Sequence, residues 1–244
     1  MRNNLNSYDE NQAELNQQLL QRIEAAKDLL NEIAETHSPA AFANSFGAED
    51  MVLTDLICTS APAIEIFSLD TGRLPDETYQ LMQEAMLRYG TQFKVYFPDS
   101  DAVEEYIRTH GPNAFYASVE LRKHCCFIRK VQPLQRALQG KKAWITGLRR
   151  EQSPTRDILP VSEWDDGNQL QKFNPLTDWT HQDVWAYIRH FEIPYNALHD
   201  KHYPSIGCAP CTRAIAVGED IRAGRWWWEN PASKECGLHI KKTG

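Results

Sequence analysis

The chain has 244 residues, 42% of them hydrophobic, a formal net charge of −7 and six cysteines. This length favours one α/β domain with a tail over two domains, and it buries a core without disulfide staples. The acidic balance argues against general nucleic-acid or membrane binding, although converging cations can still build a local anion site.

Met1–Gln12 is polar and lacks the apolar core of a signal peptide. Leu15, Leu19, Ile23, Leu30 and Ile33 then recur at close to helical spacing, which predicts an amphipathic helix packed on the core. Ala40–Asn44 reads as a short buried strand, and Ser45–Asp50 turns into a helix through about Ile57. Ile64–Leu69 is a second strand, followed by a helix from Pro75, a good first helical residue. Phe93–Phe97 is a third strand and Ala102–His110 a helix. Residues 115–139 read as helical, with a break or kink forced by Pro133. Ala143–Thr146 is a further strand. Strands alternating with helices predict an α/β fold, a parallel sheet with helices on both faces.

Beyond Arg150 the pattern is irregular. Ile158–Trp164 and Leu170–Phe173 can pair as a hairpin, and Thr180 can cap a helix to about His190. From Ile193 the chain is rich in Pro and Gly and ends in a loop-rich tail. No stretch reaches the ~18 apolar residues of a membrane span. The expected compartment is the cytoplasm, where thiols stay reduced and cysteines serve as metal ligands or catalysts before disulfides.

Cys125 and Cys126 are adjacent, and Cys208 and Cys211 form a C-x-x-C pair. Four thiolates can hold a [4Fe–4S] cluster or zinc, and adjacent cysteines suit one small tetrahedral ion less well; redox or structural thiols are the remaining reading. Cys58 lies at the apolar end of a predicted helix and reads as a core thiol. Cys236 sits in Lys234-Glu-Cys-Gly-Leu-His239, where a Gly-containing tail could present a thiol to successive partners.

Ser45-Phe-Gly-Ala-Glu-Asp50 joins a strand to a helix, where backbone N–H groups favour an anion, but it lacks the closing Gly-Lys-Ser/Thr of a Walker loop. Plain helix capping accounts for Glu49 and Asp50 equally well. Arg149, Arg150 and Arg156 gather at the C-terminal end of a strand, the ligand edge of open α/β sheets. Lys130 follows Cys126 by one helical turn, and Arg222 and Arg225 flank Gly224. Trp226–Trp228 cannot all share one face, so core packing and tail docking are expected of them before base stacking.

Together Ser45–Asp50, Leu69–Arg73, Cys125-Cys126 with Lys130, Gly147–Arg150, Cys208-x-x-Cys211 and Lys234–His239 resemble the assimilatory adenylylsulfate reductases, thioredoxin-dependent enzymes grouped with the phosphoadenylylsulfate reductases. The resemblance runs from about Ala40 to His239. It implies an adenine-nucleotide α-hydrolase-like fold, with residues 1–38 as a helical segment, 39–218 as the main domain and 219–244 as a mobile catalytic tail. It also implies reduction of adenosine 5′-phosphosulfate to sulfite and AMP, in sulfate assimilation and cysteine biosynthesis, with thioredoxin or glutaredoxin as a separate reductant.

By the same resemblance Cys236 is the nucleophile that forms S-sulfocysteine, and Cys125, Cys126, Cys208 and Cys211 hold one [4Fe–4S] cluster. Lys130, Arg222, Arg225 and His239 surround the phosphosulfate; Leu69, Gly147 and Arg156 hold the adenosine; Ser45 and Gly47 belong to the anion loop. A homo-oligomer is compatible with it. The alternatives are a phosphoadenylylsulfate reductase, whose typical members lack the four cluster cysteines, an ATP pyrophosphatase of the same fold, and an iron–sulfur redox sensor.

Overall fold

The structure is a computed structural model that describes residues 15–152 and 159–230. Helix α1 (Gln17–Thr36) begins at Asn16, whose side chain accepts the Leu19 N–H at 2.8 Å. Leu19, Ile23, Ala26, Leu30 and Ile33 form its buried stripe. This is the stripe read from the sequence, and it packs into the main core.

Strands β1 (Ala40–Ala43), β2 (Glu65–Leu69), β3 (Lys94–Tyr96), β4 (Ala143–Ile145), β5 (Ser162–Asp165) and β6 (Leu170–Phe173) form one sheet in the order β3-β2-β1-β4-β6-β5. The β1–β2, β1–β4, β2–β3 and β4–β6 pairs are parallel. The hairpin expected after Arg150 is the antiparallel β5–β6 pair; its first strand starts at Ser162, later than Ile158.

Between the strands lie α2 (Ala48–Ser60), α3 (Asp76–Tyr89), α4 (Ser100–His110), α5 (Val119–Cys126), α6 (Gln132–Leu138) and α7 (His181–His190). Alternate strand residues face opposite layers. Phe42, Ile66 and Ile145 pack with α1, α2, α3 and α7, whereas Ala41, Phe67 and Trp144 pack with Leu134, Ala137 and Leu138 of α6. Burial on both faces explains why β1 reads as an unbroken apolar run.

Two local expectations are refined. Pro75 is the N-cap residue of α3, and the helix proper starts at Asp76. The predicted 115–139 helix is a 3₁₀ turn (Ala114–Tyr116), then α5, a π-helical turn (Phe127–Val131) and α6. Pro133 has no N–H to continue an α ladder, and the Gln132 N–H instead bonds the Phe127 carbonyl five residues back. Thr180 and Asp183 make a reciprocal capping box on α7. Among the described residues no helix is long and apolar enough to cross a membrane.

Candidate active site

A cavity of about 660 Å³ opens at the C-terminal edge of the parallel strands. It spans the switch point between β1 and β4, where the chain leaves β1 for β2 on one side and crosses over from β3 to β4 on the other, the usual ligand crevice of open α/β sheets. Its floor is the loop from β1 into α2. Asn44 ties that loop down, donating to Thr54 Oγ1 at 2.8 Å and accepting the Phe46 N–H at 2.6 Å. Phe46 adopts a positive φ of 60°, so the chain turns sharply into the helix.

Asp50 holds the same loop from the helix side. Its Oδ2 accepts the Ser45 N–H at 2.7 Å and the Ser45 hydroxyl at 2.6 Å. Burial raises its carboxyl to about 6, against the pull of the two Ser45 bonds. Gly147, just past β4, lies against this pair: a Cβ there would stand 2.2 Å from Asp50 Oδ1. Only glycine lets the β4 loop pass α2 this closely, which sets one wall of the cavity.

Cations occupy another wall. Lys130, Arg222 and Arg225 all line the cavity. Arg225 Nη1 donates to the Ile206 carbonyl at 3.1 Å, and its guanidinium stacks 4.7 Å from the Trp226 ring. Gly207 makes room for it, since a Cβ there would meet Arg225 Nη2 at 2.3 Å. Arg122 also lies over Trp226, at 4.6 Å from the ring. Arg122 forms a buried two-pronged ion pair with Glu229, its Nε and Nη2 donating at 2.8 and 2.7 Å.

Next to the cation wall the four cysteines converge. Cys125 and Cys126 close α5; Cys208 and Cys211 bracket a 3₁₀ turn (Ala209–Cys211) in which the Cys211 N–H donates to the Cys208 carbonyl at 2.9 Å. All four line a second cavity of about 20 Å³ together with Arg73, Arg122, Arg129 and Lys130. Cys208 Sγ is 3.3 Å from Thr71 Oγ1, and Arg129 donates to the Thr71 carbonyl at 2.6 Å. Lys130 lines both cavities.

Burial pushes the Cys211 thiol up to about 12, with Cys208 adding to the rise and Lys130 and Arg225 opposing it. The Cys125 thiol is also raised by burial, against Arg129. Such thiols keep their protons until a metal displaces them. Among the described residues no three His, Cys, Asp or Glu side chains are grouped as a metal-ion site.

The donor chemistry fits an iron–sulfur cluster better than a single ion. Four thiols surround one gap, and Arg73, Arg129 and Lys130, which also line it, can offset the charge of thiolates. Trp226 and Trp228, packed with Cys125, Cys208 and Cys211, have buried indole N–H groups with no partner among the described residues. Inorganic sulfide would accept such donors.

Ser45, Gly47, Leu69, Lys130, Gly147, Arg222 and Arg225 thus all line the large cavity, and Cys125, Cys126, Cys208 and Cys211 the small one. Arg156, Cys236 and His239 lie outside the described residues. Arg150 faces away from the cavity and pairs with Asp178. Cys58 packs, partly buried, against the main core. Of the three tryptophans, Trp226 is buried and Trp227 exposed. The sequence reading missed Arg122 and Arg129. Arg129 follows Cys125 by four residues, so helical spacing carried that signal; Arg122 had none, because its partner Glu229 is remote in sequence.

Residues 39–214 match the phosphoadenosine phosphosulfate reductase domain. The chain is 56% identical over 218 residues to the adenosine 5′-phosphosulfate reductase of Allochromatium vinosum, covering 89% of this chain and 85% of the relative. It is 54% identical over 226 residues to that of Burkholderia cepacia, covering 93% and 90%. Among solved structures, the phosphoadenylyl-sulfate reductase of Candida auris in its phosphate complex superposes with a TM-score of 0.67 at 28% identity, over 82% of this chain and 98% of the other.

Proposed function

The chain belongs to the phosphoadenosine phosphosulfate reductase family, and on that premise we propose that it reduces adenosine 5′-phosphosulfate to sulfite and AMP in sulfate assimilation. The observation that carries this reading is the shared position of Lys130. The nucleotide-sized cavity and the four-cysteine pocket meet at that residue, so the sulfate end of a bound substrate would lie toward the cysteines.

The chemistry starts with the Cys236 thiolate attacking the sulfate sulfur. The sulfur–oxygen bond to AMP breaks, AMP leaves with the electron pair, and S-sulfocysteine remains on the chain. Lys130, Arg222, Arg225 and His239 offset charge on the anhydride oxygens. The α2 N-terminus at Gly47 adds backbone donors, Ser45 fixes that loop through its two bonds to Asp50, and Leu69, Gly147 and Arg156 hold the adenosine.

A thiolate of thioredoxin, or of glutaredoxin, then attacks the Cys236 sulfur and releases sulfite. The reductant's second thiolate resolves the mixed disulfide, leaving reductant disulfide and free Cys236. Both electrons therefore come from thiols. Cys125, Cys126, Cys208 and Cys211 would hold a [4Fe–4S] cluster, which when bound would supply structural and electrostatic support beside Lys130. Within residues 219–244, the part beyond the buried Glu229 carries Cys236 between substrate and reductant, and 1–38 act as a helical segment on the main domain of 39–218. Thiol chemistry of this kind suits the cytoplasm.

The test is an anaerobic assay of sulfite release with reduced thioredoxin. Release from adenosine 5′-phosphosulfate is expected. No release from that nucleotide would contradict the reading, and faster release from the 3′-phosphorylated nucleotide would replace it with the phosphoadenylylsulfate alternative.

A further inference from the structure

Arg149 is a buried cation at the wall of the large cavity, and its guanidinium is committed to the protein. Its Nε and Nη2 donate to Glu49 Oε1 at 2.9 and 2.7 Å. Its Nη1 donates to Glu151 Oε2 at 3.0 Å and to the Trp179 carbonyl at 3.2 Å. Glu49 lies in the first turn of α2 and also lines the cavity. Its Cβ is 3.2 Å from the point where a Cβ of Gly147 would stand, and its Oε2 is 4.0 Å from the corresponding point on Gly47. The side chain thus starts against Gly147 at its Cβ and brings a carboxylate oxygen near Gly47, where the backbone is bare.

Charge in this part of the cavity is negative. Burial raises the Glu49 carboxyl, but Arg149 outweighs burial and holds it below the usual range, so Glu49 is ionised at neutral pH. Asp50 and Glu151 stand beside it. His199, which feels the Glu49 charge, is kept neutral because burial lowers its imidazole. The cation Lys130 stands on the cysteine side instead, where it also lines the four-cysteine pocket.

We propose that Glu49, by locking Arg149, is a specificity-determining residue that excludes nucleotides with a 3′-phosphate. The inference rests on the reading that the cavity takes an adenylylsulfate with its sulfate toward Lys130. The nucleoside then points toward Glu49 and Arg149. An added phosphate dianion on the ribose would meet the Glu49 carboxylate, while four of the five N–H donors of the nearby guanidinium are already held by Glu49, Glu151 and the Trp179 carbonyl. Like charges set together in a partly buried site repel strongly. A nucleoside with hydroxyls at both ribose positions faces no such repulsion, and its hydroxyls can donate to the carboxylate.

The test compares two ligands on the full, anaerobically purified protein: AMP and adenosine 3′,5′-bisphosphate, each by titration calorimetry. Wild type is expected to prefer AMP. Glu49→Gln removes the charge and frees Arg149, so the preference should move toward the bisphosphate by about tenfold or more. Glu151→Gln, at the exposed second partner of Arg149, should move it the same way by less, and serves where Glu49→Gln does not fold. Sulfite release from the two phosphosulfates should follow the same order. An unchanged preference in the variants, with AMP still bound, would overturn the proposal. Wild type that prefers AMP yet releases no sulfite from adenylylsulfate would strike the functional reading and not this one, whereas wild type that binds both ligands equally would overturn the proposal.

Discussion

Arg122 and Glu229 form an ion pair in which both side chains are almost wholly buried, at 1% and 3% exposure. The pair fastens α5, which ends in Cys125-Cys126, to the segment that begins with Trp226. It thus clamps two walls of the four-cysteine pocket. Removing one partner of a buried pair strands the other charge and costs ~3–5 kcal/mol. Glu229→Ala is therefore expected to lower unfolding stability by about that amount, measured by urea denaturation, and to lower the iron content of purified protein. Stability within about 1 kcal/mol of wild type would show the clamp to be dispensable.

Asp50 gives a pH signature. Its carboxyl is raised by burial from 3.8 to about 6 in the folded protein. Between those values the folded state holds the proton longer than the unfolded one, so this residue's contribution to stability falls as pH rises through the window. Above it the penalty is on the order of 3 kcal/mol. Asp50→Asn lacks this titration. Its stability relative to wild type should therefore climb between pH 4 and pH 6 and then level off, as read from denaturation midpoints. A difference that does not vary with pH would contradict the burial argument.

The cation wall predicts a kinetic pattern. Charge-assisted bonds to an oxyanion contribute about 1.5–3 kcal/mol each, so Lys130→Ala and Arg222→Ala should each slow adenylylsulfate turnover about tenfold to a hundredfold. Circular dichroism should remain that of wild type. Unchanged kinetics in both would leave them as surface charges.

The cysteine pocket predicts a metal. Anaerobically purified protein should be brown, absorb broadly near ~400 nm, and contain iron and sulfide. Cys208→Ser should lose the colour, the iron and much of the activity. Colourless protein with stoichiometric zinc would sink the cluster assignment.

Much of this was legible in the chain. The stripe from Leu19 to Ile33, the alternation of strands and helices, and the Thr180 cap each follow from local periodicity or local chemistry. So did the convergence of Ser45 and Gly147, because loops after parallel strands share one edge. What was not legible depends on remote partners. The Arg122–Glu229 pair and the Arg149–Glu49 lock join residues about a hundred apart, and no local spacing announces them. The π-helical turn is a compromise between a proline without an N–H and the helices on either side, so Pro133 gave notice of a break but not of its form.

The central claim is that Cys236 takes the sulfonate group. It is tested most directly by incubating the protein with adenosine 5′-phosphosulfate without any thiol reductant and measuring its intact mass. The account predicts one equivalent of AMP released in a burst and a chain heavier by one SO₃ group, carried on the peptide containing Cys236 and discharged as sulfite by reduced thioredoxin. Cys236→Ser should keep its cluster and show neither burst nor mass increase. An adduct on another cysteine, or normal turnover by Cys236→Ser, would contradict it.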